Sequence, residues 1–174
     1  MPEVTVLTAN AIARVRSWQL ALQPPASLAT ITGAPWPTRV GASGGDVLCL
    51  GPSDWIVISD RREGGALVRE LEAAAAGVDL CIADVTQSLC GIEVHEPLAR
   101  DLLSKGCGLD LHPAVFTPGM CTRTRLAGIG AIVHCTDDGR TFRCFVARSH
   151  LRYIVDWLTD AAVEWSTPSP PPRG

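Results

Sequence analysis

The chain has 174 residues, of which 47% are hydrophobic, and a formal net charge of −3. This length and apolar content predict one domain with a substantial core and exclude a disordered chain. The fifteen Lys and Arg residues are scattered singly apart from Arg61-Arg62, and no apolar run approaches the roughly 20 residues that cross a bilayer, so neither nucleic-acid binding nor a membrane span is expected.

The N-terminal residues 1–27 are predicted to form an arm. Residues 8–22 carry only a loose helical pattern and lead into Gln23-Pro24-Pro25. A segment that cannot bury itself usually packs on another surface. We therefore expect the globular domain to occupy residues 28–165, starting with a short strand over 28–31.

The first half of this domain is predicted as two strands followed by a helix. The apolar runs 47–50 and 55–58 lie on either side of Gly51-Pro52-Ser53-Asp54, whose residue types suit a turn. Residues 63–76 place apolar side chains at helical spacing and end before Gly77, which is typical of a helix with a glycine stop.

The second half repeats the order of strand and helix. Residues 81–94 alternate toward their end as a half-buried strand does, and residues 97–105 predict a helix that begins near a proline and ends at Gly106. The loop that follows it is predicted to be sharply turned.

The last part of the domain contains the strongest local signals. Asp137-Asp138-Gly139-Arg140 has hairpin chemistry, and residues 148–163 form the best amphipathic helix of the chain, whose apolar face must lie on a sheet. Strands are predicted over 122–126, 131–136 and 141–147. The tail 166–174 is nearly all Ser, Thr and Pro and should be mobile. Together these elements predict an α+β fold of two strand-helix-strand lobes that share antiparallel sheet.

The seven cysteines are an odd set without close pairs, and the N-terminus lacks a leader pattern. Free, mostly buried thiols and a cytoplasmic location are therefore expected. A zinc site that recruits Cys107, His112 and Cys121 is not favoured, because structural zinc sites show two close ligand pairs. A nucleophilic Cys107 with Asp110 and His112 as its base and orienting group is not favoured either, because side chains of one short loop need not point toward one another. We predict no catalytic and no metal-binding residue.

Ligand binding has few candidates. Asp84 and Glu93 are the carboxylates most suited to acid–base work or to holding a pterin, although a solvated strand face explains them better. The tryptophans at positions 36, 55 and 157 could stack on a flat ligand, but core or subunit-interface packing is favoured. There is no G-x-G-x-x-G turn and no phosphate loop, so nucleotide binding by this chain lacks support.

Several segments together carry a resemblance to a known family. They are Leu50-Gly51-Pro52-Ser53-Asp54-Trp55-Ile56-Val57, Ala83-Asp84-Val85-Thr86, residues 97–113 with Phe116, Pro118, Gly119 and Cys121, and Arg148-Ser149-His150-Leu151 with Trp157-Leu158. Over residues 48–162 the chain resembles the gamma subunits of heterotetrameric sarcosine oxidases, most specifically in the Lys-Gly-Cys-x-Leu-Asp-Leu-His-Pro element of residues 105–113. The Leu-Gly-Pro-x-x-Trp element is shared more loosely with the folate-binding fold of aminomethyltransferases.

The resemblance implies an accessory, non-catalytic role beside alpha and beta subunits. In that family the complex oxidatively demethylates sarcosine or a related N-methyl amino acid and passes the one-carbon unit to tetrahydrofolate. The resemblance places the NAD and tetrahydrofolate sites on the alpha subunit, FAD on the beta subunit and FMN between the two. No cofactor is expected in this chain.

The partner-facing surface is predicted in the loop after the helix that ends at Gly106. Leu109, Leu111, His112, Pro113 and Phe116 are the candidate interface residues, because apolar anchors ringed by polar groups supply most of an interface's energy. The expected partner is the large alpha subunit. Two alternatives stay open, a free-standing folate-binding module and a thiol sensor that uses Cys107 and Cys121.

Overall fold

The computed structural model describes residues 3–7, 11–19 and 23–165. Within them, two five-stranded antiparallel sheets pack face to face, and helices cover the outer face of each sheet. The predicted α+β class is confirmed. Each lobe has its own sheet, and the lobes share the apolar layer between the two sheets.

The first sheet lies under two helices. Its strand order is β3-β4-β5-β2-β6. The strands are β2 (Ala11–Arg16), β3 (Ser43–Gly44), β4 (Val47–Gly51), β5 (Asp54–Ser59) and β6 (Cys81–Asp84), and the helices are α1 (Ser27–Thr32) and α2 (Gly64–Ala74).

The second sheet carries the other two helices. Its strand order is β1-β7-β10-β9-β8. The strands are β1 (Val4–Leu7), β7 (Leu89–His95), β8 (Cys121–Leu126), β9 (Ile129–Cys135) and β10 (Thr141–Ala147), and the helices are α3 (Ala99–Ser104) and α4 (Leu151–Ala161), with single 3₁₀ turns at Arg148–His150 and Val163–Trp165.

The core has three apolar layers because the central strands are buried on both faces. In β4 and β5 one set of alternate side chains, which includes Leu48 and Ile56, faces the second sheet. The other set, which includes Val47 and Trp55, packs under α1 and α2. The third layer joins α3 and α4 to the outer face of the second sheet. This explains why residues 47–50 and 55–58 are continuously apolar.

Most of the predicted elements are present, with corrections in the first third of the chain. The strand expected over 28–31 is wrong, because these residues lie in α1, which ends at Gly33 in the left-handed region at φ +79°. The arm expected over 1–27 is wrong for its described part, since β1 pairs with β7 and β2 is buried between β5 and β6. The prediction for residues 166–174 lies outside the described residues.

A second correction concerns residues 81–94, which were expected to form one strand. Cys81–Asp84 belongs to the first sheet and Leu89–His95 to the second, so the chain crosses between the sheets at residues 85–88. The helix predicted over 63–76, the turn at 51–54, the 137–140 hairpin and the amphipathic last helix are confirmed.

Gly106 ends α3 for a reason other than its backbone freedom. A Cβ at this position would lie 2.5 Å from Cη2 of Trp157 and 3.0 Å from the backbone nitrogen of Ala127. The glycine therefore lets α4 approach the end of α3 closely, whereas a Cβ on the neighbouring Gly108 would meet nothing within 4 Å.

Candidate functional site

The loop predicted to face a partner is largely packed against its own domain. Leu111 is 3% exposed and Phe116 is 4% exposed, and both belong to the core beneath α3 and α4. Leu109 is half-buried against the same core, whereas His112 and Pro113 are exposed. The prediction that Leu111 and Phe116 are anchors for a partner is therefore wrong, because their side chains complete the core of this chain.

Arg100 of α3 holds this loop in place, and sequence reasoning missed it. Its Nη1 donates hydrogen bonds to the backbone oxygens of Leu111 and of Phe116, the latter at 3.1 Å, and its Nε lies 3.0 Å from Oε1 of Glu96. The guanidinium also lies 4.8 Å from the centre of the Phe142 ring. One half-buried cation thus holds the loop at two points, although an arginine on a short helix gives no sequence signal for that role.

A groove of about 560 Å³ separates α3 from the loop. Its lining mixes both charges with apolar side chains, and consists of Glu96, Pro97, Arg100, Asp101, Ser104, Leu109, Asp110, Leu111, His112 and Pro113. Asp110 and His112 hydrogen-bond to backbone groups of the turn that contains them. Oδ1 of Asp110 accepts the backbone N–H of His112 at 2.9 Å, and Nδ1 of His112 accepts the N–H of Ala114 at 3.2 Å, so both side chains shape the turn.

The two carboxylates singled out in the sequence are held apart by other partners. Asp84 accepts hydrogen bonds from the backbone and the hydroxyl of Thr86. Glu93 forms an ion pair with Arg143 at 2.9 Å. Neither carboxylate lines the groove beside α3, the inter-sheet cleft described below or the 700 Å³ cavity beside α1.

The cysteines of the thiol-sensor hypothesis lie on opposite faces of the second sheet. Cys107 belongs to the layer under α3 and α4, and Cys121 belongs to the layer between the sheets. Burial raises the pKa of Cys121 to about 12, the opposite of what a reactive thiol requires. The seven cysteines are free thiols, and all but Cys81 are buried. In the described part of the chain no three His, Cys, Asp or Glu side chains are grouped to hold a metal ion.

The tryptophans are packing residues, as favoured above. Trp36 and Trp55 lie under α1 and α2 with ring centres 5.8 Å apart, and they are 8% and 1% exposed. Their indole nitrogens donate to Thr32 and to the backbone oxygen of Pro37. Trp157 packs on the core beside Gly106. Trp36 and Trp55 are thus too buried to stack on a flat ligand, and Trp157 is half-buried.

A buried carboxylate joins the two sheets at one end of the layer between them. Asp54 of β5 is 6% exposed and accepts a two-pronged hydrogen bond from Arg14 of β2 at 3.0 and 3.1 Å. Arg123 of β8, on the other sheet, donates to the same carboxylate at 2.9 Å, and Arg16 lies 3.9 Å away. Burial opposes ionisation of Asp54, but the hydrogen bonds from Arg14 and Arg123 outweigh it and hold the pKa of the carboxyl below its usual range.

Beside this cluster is a cleft of about 270 Å³ between the sheets. It has an apolar floor and two guanidinium groups, and no acidic side chain lines it. The lining residues are Arg14, Ile56, Val85, Ser88, Leu89, Arg123 and Ile132. We call this feature, together with Arg16, the arginine cleft. Here three partly exposed arginines lie beside an apolar wall.

A second buried polar group lies on the same inter-sheet face. His134 of β9 is 1% exposed, and its Nε2 lies 3.0 Å from the hydroxyl of Ser43, while Nδ1 has no hydrogen-bond partner among the described residues. Burial, with a smaller effect of Arg143, lowers the pKa of His134 to about 4. The imidazole is therefore neutral near pH 7.

No helix in residues 3–7, 11–19 and 23–165 is long and apolar enough to span a membrane.

The chain matches known proteins along most of its length. Residues 26–164 match the sarcosine oxidase, gamma subunit family. Sarcosine oxidase subunit gamma of an Arthrobacter species is 32% identical over 152 residues, covering 83% of this chain and 72% of that protein. The subunit of the same name from Corynebacterium sp. strain U-96 is 31% identical over 146 residues, covering 81% and 70%.

Solved structures agree with these matches. A chain of the heterotetrameric sarcosine oxidase from Corynebacterium sp. U-96, in complex with pyrrole 2-carboxylate, superposes with a TM-score of 0.84 and 26% identity over 97% of this chain and 87% of that chain. Aminomethyltransferase T of the glycine cleavage system from Bartonella henselae superposes with a TM-score of 0.64 and 11% identity over 90% of this chain and 45% of that chain, a likeness of fold alone. The resemblance seen in the sequence is confirmed.

Proposed function

The chain belongs to the sarcosine oxidase, gamma subunit family, and we propose that it is the accessory subunit of a heterotetrameric sarcosine oxidase-type complex. In this proposal it packs on the large alpha subunit of a complex that also contains a beta subunit. The complex demethylates sarcosine or a related N-methyl amino acid oxidatively, and this chain supplies surface and shape.

One observation carries the proposal. Nearly the whole chain, 97% of it, superposes on a chain of a heterotetrameric sarcosine oxidase at a TM-score of 0.84. Because 97% of the chain is covered, the likeness extends over both sheets and the helices that cover them, and is not limited to one part of the core. A shared core alone would support the fold but not the assembly.

The contacts of the described residues support a non-catalytic role. The carboxylates of Asp54, Asp84 and Glu93 are each occupied by cations or turn hydrogen bonds. We propose that FAD, FMN, NAD and tetrahydrofolate are bound by the other subunits. A cytoplasmic location is part of the same proposal, because six buried thiols in one domain suit a reducing compartment.

The test is assembly. The chain is co-expressed with the alpha and beta subunits encoded by the same organism, with an affinity tag on the alpha subunit, and purified under native conditions. We expect stoichiometric co-purification and sarcosine-dependent peroxide formation by the complex, with no turnover by this chain alone. Elution of this chain as a separate species while the other subunits assemble would contradict the proposal.

A free-standing folate-binding module is the second candidate, and the aminomethyltransferase-like fold is what favours it. It needs a carboxylate that faces an apolar pocket, and Asp84 and Glu93 line none of the three cavities described above. Calorimetric titration of the isolated chain with a reduced folate distinguishes the candidates. We expect no heat of binding.

A further inference from the structure

We propose that the arginine cleft, with the neighbouring Trp18, is the surface on which this chain docks a carboxylate-bearing segment of another subunit of its complex. The proposal rests on the accessory role proposed above and identifies the surface and the chemistry of the partner. It names a surface other than the loop of residues 109–116, where Leu111 and Phe116 are buried and an interface role of Leu109, His112 and Pro113 stays a prediction.

The first argument is charge. Arg14, Arg16 and Arg123 surround the single carboxylate of Asp54, so the cluster keeps a positive excess although the whole chain is acidic. The three side chains are 36%, 56% and 44% exposed. Arg14 and Arg123 are held by hydrogen bonds to Asp54, so they lose little side-chain entropy on binding a further carboxylate, whereas Arg16 adds charge.

The second argument concerns the guanidinium N–H groups of Arg14 and Arg123 that are not used for contacts within the chain. Arg14 uses Nε and Nη2 for Asp54, and Arg123 uses Nη2 for Asp54 and Nη1 for the backbone oxygen of Leu50. Within the described residues this leaves Nη1 of Arg14 and Nε of Arg123 without an acceptor. Both arginines line the same cleft, so one incoming carboxylate can accept from both.

The third argument is size. At about 270 Å³ the cleft lies below the roughly 300–1,000 Å³ typical of pockets for drug-sized ligands and cofactors. Its apolar floor of Ile56, Val85, Leu89 and Ile132 suits the methylene groups of an acidic side chain or an adjacent apolar residue. The dimensions favour a side chain on a protein surface as the occupant.

The fourth argument is Trp18, which is 82% exposed. It follows β2 at two residues from Arg16, and its segment is tied to the turn before Asp54. The N–H of Ser17 donates to the backbone oxygen of Ser53 at 3.0 Å, and the hydroxyl of Ser53 donates to the backbone oxygen of Gln19 at 2.6 Å. Tryptophan and arginine are the residues most enriched at the energetic centres of protein interfaces, and here they occur together.

The experiment measures binding of this chain to the complex of alpha and beta subunits. Arg16→Glu reverses a charge at the residue with the weakest contact to Asp54, and Trp18→Ala removes the exposed ring. Their matched controls are Arg152→Glu, at a 95% exposed side chain on the outer face of α4, and Val115→Ala, at a 51% exposed residue of the loop. Circular dichroism of each variant checks that it folds as the wild type does.

We expect each of Arg16→Glu and Trp18→Ala to raise the dissociation constant at least about tenfold, and both controls to leave it within about twofold. We also expect wild-type binding to weaken as salt rises, and less steeply for Arg16→Glu, because surface ion pairs are screened. Wild-type affinity in both variants, or loss of binding only in loop variants such as His112→Glu, would overturn this proposal and leave the accessory role standing. Failure of the wild-type chain to bind would overturn both.

Discussion

Replacement of Arg100 by methionine should release the loop of residues 109–116 from α3. Methionine keeps most of the stem but removes two hydrogen bonds to backbone oxygens, the ion pair with Glu96 and the contact with the Phe142 ring. Hydrogen bonds from a charged donor are worth about 1.5–3 kcal/mol each, and the cation–π contact adds roughly 0.5–2 kcal/mol. The desolvation cost of the guanidinium, which methionine avoids, offsets part of this sum.

We therefore expect the free energy of unfolding to fall by about 3 kcal/mol, which lowers Tm by roughly 6–12 °C for a chain of this length. Thermal denaturation followed by near-ultraviolet circular dichroism gives the shift. Hydrogen exchange should show faster exchange at 109–116 before global unfolding. Arg152→Met, on a 95% exposed side chain, is the control. A Tm within 1–2 °C of wild type, with unchanged loop exchange, would show that the Arg100 contacts do not hold the loop.

Three further results are expected in the same unfolding assay. Leu111→Asp should abolish the folded state rather than weaken assembly alone, because it places an unpaired carboxylate in the core; a well-folded variant would refute the burial. Gly106→Ala should lower the free energy of unfolding by about 1–3 kcal/mol, because the added methyl group would collide with Trp157, while Gly108→Ala should leave it unchanged. Equal Tm values for the two variants would refute the contact. Because the pKa of His134 is lowered to about 4 in the folded chain, the unfolded chain binds more protons below pH 6.5. This histidine therefore leaves the free energy of unfolding at its full value above pH 6.5 and lowers it by about 3 kcal/mol by pH 4. A flat pH profile of stability, or one unchanged in His134→Gln, would contradict this.

The parts of the fold that were predictable are those in which local chemistry decides the outcome. The 137–140 hairpin is an example, since Gly139 takes φ +68° and Asp138 accepts the N–H of Arg140 at 2.8 Å. The last helix is another, because its apolar spacing fits a single covered face. Such signals lie within a few residues of one another and need no knowledge of the rest of the chain.

The parts that were missed depend on long-range pairing. The sequence predicts β2 as part of an arm, because residues 8–22 carry only a loose helical pattern that leads into Gln23-Pro24-Pro25. The strand lies inside the sheet because it pairs with β5 and β6, and its Arg14 meets Asp54, 40 residues away in the sequence. The same holds for Arg100, whose partners become neighbours only when the loop folds back. No spacing within the local sequence indicates either contact.

The candidate interface changed for a related reason. Sequence reasoning treated a loop with several apolar residues as a surface, but two of these side chains complete the core under α3 and α4. The arginines that remain partly exposed lie instead on strands, where their alternation places them on the face between the sheets. The sequence does not predict that these arginines lie beside an apolar wall, because that wall is formed by residues of both sheets.

The two sheets are joined by apolar contacts in the middle and by ion pairs at the ends of their shared layer. At one end Arg123 reaches Asp54 across the sheets, and elsewhere Arg143 reaches Asp46 at 2.6 Å. Apolar layers tolerate small shifts, whereas charge-assisted hydrogen bonds require a particular geometry, so these pairs fix the register of one sheet on the other. An accessory subunit needs a rigid surface more than a strongly stabilised one. Arg123, which sets this register at one end and lines the arginine cleft, is then also well placed to meet a partner, because its orientation is settled before binding begins.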